Sequence, residues 1–308
     1  MRNKITIVGA GNVGASCAAW LAERDLGDLV LVDIPATKDM PKGKALDLLQ
    51  AGSISGYNTR LTGTTGYDET AGSDVCVITA GVPRKPGMSR EDLVGINQSI
   101  VQDVVRQLVA GSPEAILIVV TNPLDTMCYV AYGAAGFPKQ RVIGQAGVLD
   151  SARLRAFIAQ ELNVAVENVH TAVIGGHGDK MVPLVRYCTV FGVPISEMLP
   201  PDRVEALVQR TRQGGGELVN LLGVSAWYAP GAAAGSMVEA ILKDKHRIVP
   251  CSAYLEGEYG LNDTYFGVPC KIGRSGIEEI LQLKLSDEEQ AMMQKSAALI
   301  RETMGALK

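Results

Sequence analysis

Three histidines are available to this chain as proton carriers, His170, His177 and His246, and they stand in different company. His177 lies in Gly175-Gly176-His177-Gly178-Asp179, where small neighbours leave the ring approachable. His170 follows a polar turn, and His246 belongs to the charged run Lys243-Asp244-Lys245-His246-Arg247. An imidazole that titrates near neutrality suits general acid–base work, so His177 is the candidate base. Asp150 and Arg153 have i,i+3 spacing and would share one face near the start of a helix. A plain ion pair would explain them, yet an arginine in a first helical turn opposes the macrodipole and gains nothing from it. The segment Gly81-Val82-Pro83-Arg84-Lys85-Pro86-Gly87-Met88-Ser89-Arg90 raises the same question. Its prolines and glycines exclude a helix or a central strand, so its cations belong either to a solvated loop or to an anion-binding flap.

A second chemistry is written near the start. Gly9-Ala10-Gly11-Asn12-Val13-Gly14 follows the apolar run Ile5-Thr6-Ile7-Val8 and precedes the small residues Ala15, Ala18 and Ala19. Gly9 would permit a tight turn, Gly11 would let a pyrophosphate approach the backbone, and Gly14 would let the next helix lie close to the sheet. The helix N-terminus adds free N–H groups and partial positive charge. Alone this could be any glycine-rich turn. A second apolar run ends in Asp33, about 20 residues further on, where a carboxylate can accept both ribose hydroxyls. That carboxylate would repel a 2′-phosphate, and no cation follows it before Lys38, which favours NAD over NADP.

The elements that must position these groups are legible as alternation. Ile5–Val8, Leu29–Val32, Val75–Thr79 and Ile116–Val120 read as continuously apolar strands, the pattern of a parallel sheet covered on both faces. Leu93, Ile96, Ile100, Val104 and Leu108 recur at helical steps and describe one buried helix face. The expected fold is α/β: a doubly wound parallel sheet over residues 1–145, followed by an α+β substrate domain over 146–308. In that second part Leu154, Phe157, Ile158 and Leu162 form an apolar stripe, while Gly214–Gly216 and Gly231–Gly235 are expected to break up the chain beyond it. Ser286 and Glu289 have capping-box spacing and predict a final helix.

Composition narrows the function classes. The chain has 308 residues, about two domains' worth, with 47% hydrophobic and 20% charged residues and a net charge of −4. A mildly acidic chain with 5% aromatic residues lacks the basic patches and stacking surfaces of nucleic-acid binding. The longest clean apolar stretch, Ala115–Val120, is far short of the ~20 residues that cross a bilayer, so no membrane partner is expected. The N-terminal run belongs to the glycine motif and is expected to be folded and retained. Six scattered cysteines without a CxxC pair suggest neither a disulfide framework nor a metal site, and a reducing cytoplasm fits.

These segments together resemble the lactate/malate dehydrogenase family. The glycine motif, Ala80-Gly81-Val82-Pro83-Arg84-Lys85-Pro86-Gly87-Met88, Thr121-Asn122-Pro123, Leu149-Asp150-Ser151-Ala152-Arg153 and Gly176-His177-Gly178-Asp179 occur in the family's order and span nearly the whole chain. The likeness is greatest to its bacterial malate dehydrogenases, built on the lactate dehydrogenase plan. The resemblance implies reversible hydride transfer between (S)-malate and NAD, giving oxaloacetate and NADH. It implies His177 as proton acceptor and Asp150 as its partner, a role that the residues alone could equally give to Asp179. Arg153 matches the residue that grips the C1 carboxylate, Arg90 the flap arginine that polarises the reacting oxygen, and Asn122 a further donor to that oxygen. Beside Gly9, Gly11, Gly14 and Asp33, the cofactor site is expected to include Asn12, Asn97, Val120 and Asn122.

Substrate choice rests on Arg84. In the family's lactate enzymes this position is typically Gln, which suits a substrate ending in a methyl group; a cation in a closed pocket calls for a second carboxylate. Ala226 stands where those enzymes usually have Thr, consistent with room for a larger diacid. Gly175 and Gln145 depart from the family's pattern without removing a reacting group. The alternatives are an L-lactate or other 2-hydroxy-acid dehydrogenase and, more remotely, a non-catalytic NAD(H)-binding sensor. A homotetramer is expected, a homodimer being the alternative, and the stripe beginning at Leu154 would serve either a subunit contact or the core.

Overall fold

The computed structural model of the chain describes residues 2–83 and 89–308, with Arg90 described by its backbone only. Arg84, Lys85, Pro86, Gly87, Met88 and the Arg90 side chain, on which the flap and substrate expectations fall, lie outside the described residues.

The four apolar runs form strands β1 (Lys4–Val8), β2 (Asp28–Val32), β4 (Val75–Ile78) and β5 (Ile116–Val119), joined by the shorter β3 (Leu61–Thr64) and β6 (Val142–Gly144). All six are parallel, in the order β3-β2-β1-β4-β5-β6 when read from one edge. Such a sheet must be covered on both faces, and alternate residues of one strand enter different cores. Ile5, Ile7, Leu29, Leu31, Val75 and Val77 pack on one side, and Val8, Val30, Val32, Cys76 and Ile78 on the other. Helices α1 (Asn12–Glu23), α2 (Met40–Ser55), α3 (Arg90–Gly111) and α4 (Leu124–Ala135) make the crossovers. The buried face of α3 is broader than the expected stripe: Leu93, Val104 and Leu108 are buried as expected, Val94, Asn97, Val101 and Val105 are buried beside them, Ile100 is half-buried, and of the stripe only Ile96 turns out, 41% exposed. The two stripes lie only a residue apart and share the buried face, and a capping box of Ser89 and Asp92 starts the helix.

Beyond β6 the chain enters α5 (Gly147–Leu162) and a set of short strands: β7 (Val169–His170), β8 (Val173–Ile174), β9 (Val182–Pro183), β10 (Thr189–Val190) and β11 (Val193–Pro194). Helices α6 (Ile195–Met198), α7 (Pro201–Leu222) and α8 (Tyr228–Leu242) come next. The long antiparallel strands β12 (Arg247–Glu256) and β13 (Asn262–Gly273), with β14 (Gly276–Ile280), then add to the first sheet through the pairing of Ser252 with Gly144. One nine-stranded sheet therefore runs through both halves of the chain. The last helix, α9 (Asp287–Met304), starts with the expected capping box: the Ser286 hydroxyl accepts from the Glu289 N–H at 3.2 Å, and the Glu289 carboxylate accepts from the Ser286 N–H at 2.8 Å.

The glycines expected to interrupt the second half do not. Gly214–Gly216 lie inside α7 and Gly231–Gly235 inside α8. Close approach accounts for two of them: a Cβ on Gly231 would stand 2.8 Å from the Cys17 amide nitrogen, and one on Gly214 would stand 3.2 Å from Cδ of Arg153. The helices α1 and α8 thus pack almost backbone to backbone. The stripe beginning at Leu154 is core, since Leu154 and Ile158 are fully buried against Val169, Val173 and Leu207. All six cysteines are free and buried. No helix among the described residues is long and apolar enough to cross a membrane.

Candidate active site

Strands β8 and β9 form a small antiparallel hairpin whose connection carries His177. Gly175 adopts φ +93°, and a Cβ on Gly176 would stand 2.7 Å from Cδ1 of Ile300, so these two glycines let the loop press against α9. The imidazole faces the first turns of α5. Its Nδ1 is 2.9 Å from Oδ2 of Asp150, while Oδ1 of the same carboxylate accepts from the Arg153 guanidinium at 3.2 Å. Asp150 therefore bridges base and arginine, and its partnership with the histidine and its i,i+3 ion pair hold at once. Asp179 makes no comparable contact with the ring among the described residues.

Burial sharpens this arrangement. The Asp150 side chain is 3% exposed, Arg153 14% and His177 20%. The attraction of Asp150 raises the pKa of His177 above its usual 6.5, working against burial, which lowers it; Arg153 also opposes the rise. An Asp150 carboxylate at Nδ1 makes that nitrogen the N–H donor and leaves Nε2 as the acceptor facing outward. The Nε of Arg153 is buried without a hydrogen-bond partner among the described residues. Such a donor is unfavourable unless an acceptor arrives, and a carboxylate presents two.

The glycine turn and Asp33 come together as expected. A Cβ on Gly9 would meet Oγ1 of Thr79 at 2.6 Å, and one on Gly14 would stand 1.9 Å from the Gly9 carbonyl oxygen, so both positions are closed by protein. Around Gly11, by contrast, nothing lies within 4 Å of that point. The open side of the turn faces the start of α1 at Asn12, which suits a pyrophosphate on the helix N-terminus. Oδ2 of Asp33 accepts from the Ala10 N–H and Oδ1 from the Ile34 N–H, each at 2.8 Å, which fixes the carboxylate beside the turn. These residues fit a dinucleotide. Val120 stands at the end of β5, and Asn122 lies two residues on, exposed, at a cis Asn122–Pro123 bond. Asn97 is buried, and its amide is engaged by backbone: it accepts from the Val82 N–H at 2.8 Å and donates to the Asn122 carbonyl at 2.6 Å. The side chain thereby ties the backbone at Val82 to that at Asn122.

Four further residues support the site without any mark in the sequence motifs. Asp125, 5% exposed, accepts from the His177 backbone N–H at 3.0 Å and from the Ser252 hydroxyl at 2.6 Å. Ser296 on α9 accepts from the Gly176 N–H at 2.9 Å. Lys44 on α2 donates to the Ala10 carbonyl at 2.6 Å, so the peptide of Ala10 is held from both sides. A signal existed for Asp125, a lone carboxylate in the otherwise uncharged segment from Leu124 to Ala135. Nothing in sequence spacing marks Ser252, Ser296 or Lys44.

Comparison with known proteins shows the family. Residues 3–144 match the family model described as lactate/malate dehydrogenase, NAD binding domain, and residues 147–307 match its alpha/beta C-terminal domain. A malate dehydrogenase from Roseiflexus sp. is 57% identical over 309 residues, covering 100% of this chain and 99% of its own. A solved malate dehydrogenase from Salinibacter ruber is 51% identical with a TM-score of 0.94, covering 98% of this chain and 97% of its own. A lactate dehydrogenase from Cryptosporidium parvum, solved with lactic acid and nicotinamide adenine dinucleotide, is 38% identical with a TM-score of 0.95, covering 99% and 98%.

Proposed function

The chain belongs to the lactate/malate dehydrogenase family, and within it we propose NAD-dependent malate dehydrogenase activity, with (S)-malate and oxaloacetate as the substrate pair. The observation that carries the chemistry is the buried Asp150 carboxylate bridging His177 at 2.9 Å and Arg153 at 3.2 Å. In malate oxidation, Nε2 of His177 accepts the hydroxyl proton while Asp150 keeps Nδ1 protonated and stabilises the resulting imidazolium. Arg153, whose Nε has no partner among the described residues, receives the carboxylate next to the reacting carbon and so aligns that carbon. Bound NAD supplies the hydride acceptor. Gly9, Gly11, Asn12 and Gly14 would hold its pyrophosphate, Asp33 its ribose, and Val120 and Asn122 would border its reactive end. In the reverse direction His177 returns the proton to the oxygen of oxaloacetate.

Arg84 is assigned to the far carboxylate and Arg90 to the reacting oxygen, both on the sequence pattern alone. The work divides at 145/146, the first part holding cofactor and the second substrate, although one sheet spans them. A homotetramer, or alternatively a homodimer, in the cytoplasm completes the reading. Self-association would cover the exposed Leu46, Leu49 and Ile54 of α2, and a reducing compartment suits six buried thiols. The test of the cofactor and reaction assignment is oxaloacetate reduction followed by nicotinamide absorbance. NADH is expected to support turnover with NADPH far poorer, and an equal or greater rate with NADPH overturns the role given to Asp33.

A further inference from the structure

The carboxylate of Asp125 has no part in the chemistry above, yet it is buried directly beneath the base. Both of its oxygens are occupied: Oδ2 by the N–H of His177 at 3.0 Å and Oδ1 by the Ser252 hydroxyl at 2.6 Å. Neither donor requires a charged acceptor, because an amide oxygen or a hydroxyl would satisfy a backbone N–H equally well. Burying a carboxylate there is unfavourable, and desolvation raises its pKa despite those two hydrogen bonds. The charge therefore needs a reason of its own.

That reason lies in the charge balance around the imidazole. Among the described residues, the charged groups that face it are Asp150 and Arg153 from α5, Asp125 from α4, and Asp179 and Lys180 from its own loop. The elements β12 and α9 contribute Ser252 and Ser296, which are neutral. Arg153 offsets part of the Asp150 charge, so the direct partner of an imidazolium at His177 balances it only in part. Asp125 adds a second negative charge against the His177 backbone, in the first turn of α4, where the helix N-terminus also tolerates negative charge.

We propose that Asp125 is a positioning residue for the reaction: its ionised carboxylate anchors the His177 loop through the backbone and provides the second negative charge that holds the imidazolium. The inference rests on the reading of His177 as proton acceptor. Ser252 fixes the carboxylate's orientation, and Ser296 anchors the preceding Gly176 from α9, so two elements, α4 and α9, hold two successive residues of the loop.

The experiment is proton NMR titration of the histidine ring signals in the full-length protein, with His177 assigned by its absence in His177→Asn. Asp125→Asn keeps an acceptor for the N–H and removes only the charge. The pKa of His177 is expected to fall by about one unit, the size of effect that a nearby but non-contacting charge exerts. The inflection of kcat/KM for malate oxidation should move to lower pH by the same amount. Asp125→Ser, which also removes the charge and offers a hydroxyl oxygen in its place, should give a downward shift of similar size and serves if Asp125→Asn does not fold. A variant that melts at lower temperature but whose His177 titrates as in the parent protein marks Asp125 as merely structural and overturns the proposal. Retained turnover in His177→Asn would instead overturn the underlying reading, and the NMR titration distinguishes the two because it needs no turnover.

Discussion

Replacing Asp150 by Asn perturbs the site while keeping its shape. The amide can still accept from one neighbour and donate to another, so the contacts now at 2.9 Å with His177 and 3.2 Å with Arg153 need not lengthen. What disappears is a negative charge within a site where its side chain is 3% exposed. Two unit charges about 4 Å apart interact by about 4 kcal/mol at the effective dielectric suited to protein sites. The Arg153 guanidinium remains, and its repulsion of an imidazolium is then unopposed by the bridging carboxylate. His177, now raised above 6.5, should fall below it. The retained hydrogen bond recovers part of the loss, which leaves a decrease of about 10²–10³ in kcat/KM for oxaloacetate at neutral pH. The assay is steady-state reduction of oxaloacetate at saturating NADH across a pH series. The deficit should shrink as pH falls, because a weaker base is still protonated in acid and is then the stronger acid. A deficit below tenfold, or one that does not vary with pH, refutes the assignment of Asp150 as the group that stabilises the protonated base.

Further predictions concern titration and packing. In the parent protein, malate oxidation needs neutral His177, so its kcat/KM should rise with pH to a plateau; oxaloacetate reduction needs the imidazolium and should fall. Both inflections are expected above 6.5 because Asp150 raises the histidine, and inflections below 6.5 would contradict that sign. Gly→Ala inside a helix ordinarily stabilises by about 1 kcal/mol. Gly215→Ala, with open space around its Cβ position, should obey this rule, whereas Gly231→Ala meets backbone of α1 at 2.8 Å and should destabilise by about 1–3 kcal/mol. Opposite changes in melting temperature are the expected result, and a rise for Gly231→Ala would show that α1 and α8 can separate freely. Ser286→Ala should lower stability by about 1 kcal/mol through loss of the α9 cap, measurable by urea unfolding.

Local chemistry is what the sequence makes legible. Ile5–Val8 and Leu29–Val32 are apolar without interruption because both faces of the sheet are covered, and that signature survives without any tertiary information. The turn from Gly9 to Gly14 is legible for the same reason: each glycine answers a steric demand within a few residues of itself. Strand β3, Leu-Thr-Gly-Thr, carries no such signature, being a short edge strand on which Gly63 stands against the start of α2. Gly214 and Gly231 mislead because their partners, Arg153 and Cys17, are distant in sequence, and a packing glycine looks like a breaker until its neighbour is known. His177, Asp150 and Arg153 are identifiable as individuals, but which carboxylate meets the ring stays open until the fold brings α5 beneath the β8–β9 connection. Asp125 and Ser252 are 127 positions apart and become a pair only through the pairing of β12 with β6.

The central claim, that this site works on a four-carbon diacid, is tested most directly by comparing kcat/KM for oxaloacetate and pyruvate with NADH in the parent protein and in Arg84→Gln. The parent is expected to favour oxaloacetate by on the order of 10⁴, as sites built around a required polar partner do, and the variant to lose most of that preference. A parent protein that reduces pyruvate as efficiently as oxaloacetate, or an Arg84→Gln variant with unaltered preference, would contradict the account.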